Sequence, residues 1–175
     1  MTSVNDPLLG ATDFAQFNAK ADAWFLGAAG EQIRDYCGWH IFPQVAQTDV
    51  IARIGNAGII MLPTLNLVSV QELRIRGQVV AEGVEYWASS AGYITLTTQR
   101  LGGSLVSVDM THGYEALPKA VAEVGFELAS RTMEQPSGIV TDITRGPTRM
   151  KFGELGSVLS DDQKGRLGPY RVRNV

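Results

Sequence analysis

The hydrophobic period of this chain switches twice, from 3.6 to 2 near residue 39 and back to 3.6 near residue 117, and few folds accept that order. Over 18–37 the apolar residues Ala21, Trp24, Phe25, Ala28, Ala29, Ile33 and Tyr36 recur at spacings of three and four. Lys20, Asp22, Glu31, Arg34 and Asp35 fill the other side. That pattern predicts an amphipathic helix. Asn18 can cap its start, and Gly38 sits where a chain leaving a helix needs a left-handed residue. Gly27 and Gly30 each weaken the helix interior by up to about 1 kcal/mol relative to Ala, so packing must hold it, with the small residues admitting another backbone.

Between 39 and 114 polar and apolar residues mostly alternate. The runs 65–70, 73–76, 94–97 and 105–110 read as strands with one wet face. Gly77-Gln78, Glu82-Gly83, Ala91-Gly92 and Gly102-Gly103 punctuate them at hairpin-like intervals, which predicts a small antiparallel meander or sandwich. With Gly 19 and Pro 7 in 175 residues, short elements are favoured over long helices. A second helix is predicted from Pro118, whose missing N–H costs nothing in a first turn, to Gln135, before Pro136. Leu117, Val121, Val124 and Leu128 form its buried stripe, and Lys119, Glu123, Glu127 and Arg131 face away.

The expected fold is therefore α+β, a small helical bundle with an inserted antiparallel β domain and an extended C-terminal arm. Its parts are an N-terminal helical part at 1–38, the β insertion at 39–114, a core helix at 115–135 and a docking arm at 136–175. Seven basic residues against four acidic ones leave that arm at +3, and the remainder at −6. Ile139, Val140, Ile143, Met150, Phe152, Leu155, Val158, Leu159, Leu167 and Tyr170 are too many apolar residues for a solvating tail. Without a long periodic segment of its own, the arm is expected to dock on a partner or a sister subunit. Ser160 before Asp161-Asp162 can cap one short helical turn ending at Gly168-Pro169. The cluster of Arg145, Arg149 and Lys151 around Gly146-Pro147 has two readings, phosphate contact with DNA or an acidic protein partner. The second is preferred, because no helix or aromatic series positions the cluster against bases.

A net charge of −3 lacks the basic footprint of a dedicated nucleic-acid binder. Cys37 stands alone, which excludes an intrachain disulfide or a multi-cysteine zinc site; at a helix C-terminus it reads as a packed, inert thiol. The longest run of large apolar residues, 59–62, is far short of the roughly 20 that cross a bilayer, so no membrane partner is expected. No metal-ligand spacing occurs and no cofactor is expected. The two histidines, His40 and His112, lack a nucleophile elbow and read as structural: His112 leaves a strand for a turn, and His40 lies at a core edge or an interface. Glu82 and Glu85 read as solvated turn residues. Tyr86, Trp87 and Tyr93 read as sheet packing, the other possibility being an exposed aromatic platform.

Tyr36-Cys37-Gly38-Trp39-His40-Ile41-Phe42-Pro43 closing a first helix, then Leu62-Pro63-Thr64-Leu65-Asn66-Leu67-Val68-Ser69-Val70, then Thr111-His112-Gly113-Tyr114 before Leu117-Pro118 and a helix, form an ordered set of motifs. The set resembles the head-to-tail adaptor (connector) proteins of long-tailed phages infecting actinobacteria, over about 20–135 and more loosely at Gly168-Pro169-Tyr170-Arg171. The resemblance implies a non-enzymatic virion protein assembled in the host cytoplasm. It implies a ring of twelve subunits beneath the portal, in the virion neck, that prolongs the DNA channel and offers a platform to the next neck or tail protein. Genomic DNA would pass through without sequence-specific binding. The family's C-terminal arm reaches the portal, a role that would fall here to Arg145, Arg149, Lys151, Phe152, Tyr170 and Arg171. Removing 136–175 would then leave a folded core. The competing readings are another neck ring component, such as a stopper or tail-completion protein, and a small β-type binding module or hydrolase.

Overall fold

A computed structural model describes residues 7–9, 23–55, 57–97, 103–134, 142–145, 148–151 and 159–172. The chain is mixed α+β and divides into two compact units. One comprises Cys37–Leu117 with the terminal stretch from Tyr170, and the other comprises Pro7–Tyr36 with Pro118–Pro169. The division falls close to the expected edges of the β insertion, where the hydrophobic period switches.

The first unit holds seven strands: β1 (Val45–Arg53), β2 (Ile59–Met61), β3 (Leu67–Ile75), β4 (Gln78–Val80), β5 (Tyr86–Ser89), β6 (Tyr93–Leu96) and β7 (Leu105–His112). They form two antiparallel sheets, ordered β1-β7-β3-β4 and β2-β6-β5. β7 alternates without a break, sending Val106, Val108, Met110 and His112 inward. Both sheets feed one core, in which Leu73, Ile60, Ile94, Val108 and Met110 are fully buried. The predicted runs 65–70 and 73–76 are one strand, β3, which bulges against β7 between Leu67 and Ser69 and again between Val70 and Glu72. Each bulge shifts the inward set by one residue, which broke the apparent alternation. β1 was hidden in the same way by its own bulge between Gln47 and Val50, where Asp49 takes φ 54°.

Turn chemistry pins the unit. Arg76 and Gly77, at φ 53° and 80°, close the β3–β4 hairpin with two left-handed residues, as a two-residue hairpin twist requires. Gly92 combines φ 84° with so close an approach of the Thr64 backbone that a Cβ there would overlap the Thr64 carbonyl oxygen.

The second unit contains α1 (Ala23–Cys37, its last residue falling in the first unit), α2 (Lys119–Glu134), the hairpin β8 (Asp142–Arg145) and β9 (Thr148–Lys151), and α3 (Asp161–Leu167). The buried stripe of α1 is Leu26, Ala29, Gly30 and Ile33. Trp24, expected in that stripe, is instead 69% exposed. Asn18 and Ala21, expected in the same helix, lie outside the described residues. The stripe is rotated because Gly30 receives Leu8, whose Cβ would stand 3.1 Å from a Cβ at that glycine. On α2 the inward residues Val121, Val124 and Leu128 are as expected, and Gly125 admits the side chain of Leu9. Leu8 and Leu9, 1% and 2% exposed, thus each occupy a glycine notch on a different helix.

The segment expected to be an extended arm is partly folded back. Ser160 caps α3 in a capping box with Gln163, and both Gln163 and Leu167 are buried. Glu127, expected to face solvent, accepts from both guanidinium NH groups of Arg166, at 3.0 and 2.5 Å, and from the Gln163 amide at 3.2 Å. Those bonds, with the Arg166 contact first, hold its carboxyl below the usual range. Tyr36 adds a hydroxyl bond to the Lys164 carbonyl at 3.1 Å. A helix of seven residues, about two turns where one was expected, thereby finds a surface within its own chain, and a chain cut after residue 135 would lose it.

Candidate interaction surfaces

The sheet β2-β6-β5 buries one face and leaves the other uncovered. Register places Ile59, Thr95 and Trp87 side by side in one row, and Met61, Tyr93 and Ser89 in the next. On that outer face Trp87 is 63% exposed, Met61 52%, Tyr93 38% and Ile59 37%. Only Tyr86, one position before Trp87 and therefore on the opposite face, packs inward as expected for all three aromatics. Trp87 and Tyr93 are diagonal neighbours, close enough for one partner to touch both.

The outer face of the four-stranded sheet is polar at its centre. Arg74 reaches three carboxylates: Glu72, Asp109 at 3.0 Å and Asp49 at 3.1 Å. Asp109 also accepts the backbone N–H of Asp49 at 2.8 Å, and Ser107 donates to Asp49 at 2.9 Å. The lattice ties the β1 bulge to β7 and β3; its chemistry is fully explained by holding the sheet.

A nest of rings collects at the other end of β7. Trp39, His40, His112 and Tyr114 lie within 5.9 to 6.4 Å of one another, centroid to centroid, along the pairs His40–His112, Trp39–Tyr114 and Trp39–His112. His40 Nε2 bonds the Pro43 carbonyl at 2.6 Å and His112 Nε2 meets the Gln47 side-chain oxygen at 3.1 Å. Burial, with His40 adjacent, pushes the His112 pKa down to about 4, so the ring is neutral at pH 7 and serves as a packed hydrogen-bond donor. Both histidines pack in one nest of rings, though 72 residues of sequence separate them. Cys37 is fully buried and its thiol is pushed up to about 12, again by burial, which makes it inert.

The residues expected to dock on a partner are split. Arg145, Arg149 and Lys151 lie on the β8–β9 hairpin, where Arg145 pairs with Thr148 and Arg149 with Thr144. Phe152 lies outside the described residues. Tyr170 and Arg171 belong to the first unit: the Tyr170 ring stands edge-on to Tyr114 at 6.1 Å, its carbonyl accepts from Trp39, and Val172 N–H bonds the Cys37 carbonyl at 2.9 Å. Sequence spacing gave no sign of that clamp, because its two sides lie more than a hundred residues apart.

A cleft of about 220 Å³ opens between β3 and the end of β5, lined by Leu67, Val68, Ser69, Val70, Glu82, Ala88, Ser89 and Ser90. Among the described residues that line it, Glu82 alone is ionisable. Among the described residues no cluster of three histidine, cysteine or acidic side chains can hold a metal ion, and no helix is long and apolar enough to cross a membrane. The chain matches no protein-family model and no curated protein.

Proposed function

We propose that this protein is a structural subunit of a phage neck, a head-to-tail adaptor whose copies form a ring beneath the portal and extend the DNA channel. The observation that carries the reading is the outer face of the β2-β6-β5 sheet, where Trp87, Tyr93, Met61 and Ile59 lie 37 to 63% exposed in two adjacent rows. Aromatic and methionine side chains of this kind form the dry centre of protein interfaces. A closed ring needs such a patch on one flank and a different, complementary patch on the other. The order of the elements, a helix, an antiparallel β body, a second helix and a C-terminal segment with basic residues, supports the same reading through the resemblance of the Tyr36–Pro43, Leu62–Val70 and Thr111–Tyr114 motifs to the adaptor family. A body at −6 repels passing DNA, which suits a channel wall, and the +3 segment suits an acidic docking partner.

The test is to mix the chain with the portal protein of its phage and weigh the product by native mass spectrometry, with imaging of the virion neck. A ring of this chain seated on the portal is the expected result. A chain that stays apart from the portal and is absent from the particle overturns the reading.

A further inference from the structure

Two pieces of β structure in this chain are left incomplete. Strand β3 carries β7 along one side, but on its other side β4 pairs only with Leu73, Arg74 and Ile75. Among the described residues no strand flanks the stretch from Val68 to Glu72 on that side, and the cleft of about 220 Å³ lies against it. Val68, 49% exposed, stands at the mouth. An open edge of this kind is a template for another strand. The second piece is the β8–β9 hairpin, a two-stranded sheet joined to no other strand among the described residues. A hairpin of two four-residue strands is at best marginally stable in water and gains its stability from a third strand.

We infer that the β8–β9 hairpin of one copy adds as a strand to the open Val68–Glu72 edge of β3 in a second copy, completing both sheets at once. Among the described residues the two remain in separate sheets, and a second copy supplies to each what the other lacks. Each hairpin strand is four residues long and the open stretch five, so one fits along the other. Charge is complementary: the hairpin carries Arg145, Arg149 and Lys151 against Asp142, and the cleft carries Glu82 and no cation. Backbone bonds supply the attraction and Glu82 the selection, the usual division in strand addition. The contact is heterologous, edge to hairpin, and therefore propagates around a ring instead of stopping at a pair. The inference rests on the neck-ring reading in so far as that ring sets copies side by side.

The experiment uses the full-length chain in two differently tagged forms, one carrying Ser69→Cys and the other Arg149→Cys, mixed under mild oxidation, alone and on the portal. The expected product is a disulfide joining the two tags, in about tenfold excess over same-tag dimers and lost on adding Glu82→Arg to the first form. In unmodified chain, assembly should slow amide exchange across 68–72 by about tenfold or more. Rings that form on the portal without the mixed disulfide and without that protection overturn the inference and leave the ring reading intact. A chain carrying both cysteines that closes only on itself overturns it too, by placing the hairpin in its own sheet. Failure to bind the portal, with the mixed disulfide still formed, upholds strand exchange and removes the neck reading.

Discussion

The indole Nε1 of Trp39 donates to the backbone carbonyl of Tyr170 at 2.6 Å, across 131 positions of sequence. Beside it the amide of Val172 donates to the carbonyl of Cys37, so the residues leaving the first helix and those near the chain's end are held to each other by two bonds. Trp39→Phe keeps most of the buried ring and removes the donor. The expected cost is about 1–2 kcal/mol, seen as faster amide exchange at Val172 and an earlier denaturation midpoint. Unchanged exchange at Val172 would show that the indole bond is not what secures the end.

His112 makes the β unit acid-sensitive in a predictable direction. Its ring is 1% exposed and faces His40, Gln47 and Trp39, with a folded pKa near 4 against about 6.5 unfolded. Above pH 6.5 neither state binds the proton and the contribution to stability is constant. Between 6.5 and 4 only the unfolded chain binds it, so stability falls by up to about 1.4 kcal/mol for each pH unit. His112→Gln should flatten that slope in urea titrations at pH 7 and pH 4.5. Equal slopes in the two proteins would remove His112 as the sensor.

Trp87→Ser with Met61→Ser tests the uncovered sheet face. Both side chains are more than half exposed, so thermal stability should shift by no more than about 0.5 kcal/mol. Ring formation on the portal should be lost. A double variant that assembles normally would return this face to ordinary solvent-exposed sheet.

Gly92→Ala and Gly103→Ala separate backbone strain from crowding. Both positions have positive φ, 84° and 83°, but only Gly92 has the Thr64 carbonyl where a Cβ would stand, whereas Gly103 faces open space. The expected costs are about 1 kcal/mol at Gly103 and well above about 2 kcal/mol at Gly92, by calorimetry or urea denaturation.

Leu167→Ala should detach α3. Leu167 is fully buried, and truncating a buried leucine costs about 2–5 kcal/mol, more than a seven-residue helix can lose and stay docked. Exchange across 161–167 should rise to that of free peptide while strands β1 to β7 keep their protection. Arg166→Gln, which removes an ion pair from a partly exposed site, should raise exchange there by only a few-fold.

Legibility in the sequence followed the range of the interaction. The period switch at 39 and 117 announced the α+β order, and Ser160 announced the start of α3, because both signals are carried by residues within one turn or one strand of each other. β1 and the continuity of β3 were obscured by bulges, where one extra residue inverts the inward set. The rotation of α1 away from Trp24 depends on Leu8 meeting Gly30, and the bonds that the exposed Glu127 accepts depend on Arg166 and Gln163; no local pattern encodes either. Trp87 and Tyr93 were read as packing because alternation tells which residues share a face and not which face is covered. The open edge of β3 depends on how few residues of β4 pair with it, a quantity fixed by the Arg76-Gly77 turn and the departure of the chain after Val80.

The two units are interleaved along the chain, the first being completed only by residues from Tyr170 onward and the second only by α3. On the ribosome, the second unit cannot close before α3 has emerged, and the bonds that Tyr170 and Val172 give the first form later still. A polypeptide released before residue 160 therefore lacks the Gln163 and Arg166 that Glu127 binds.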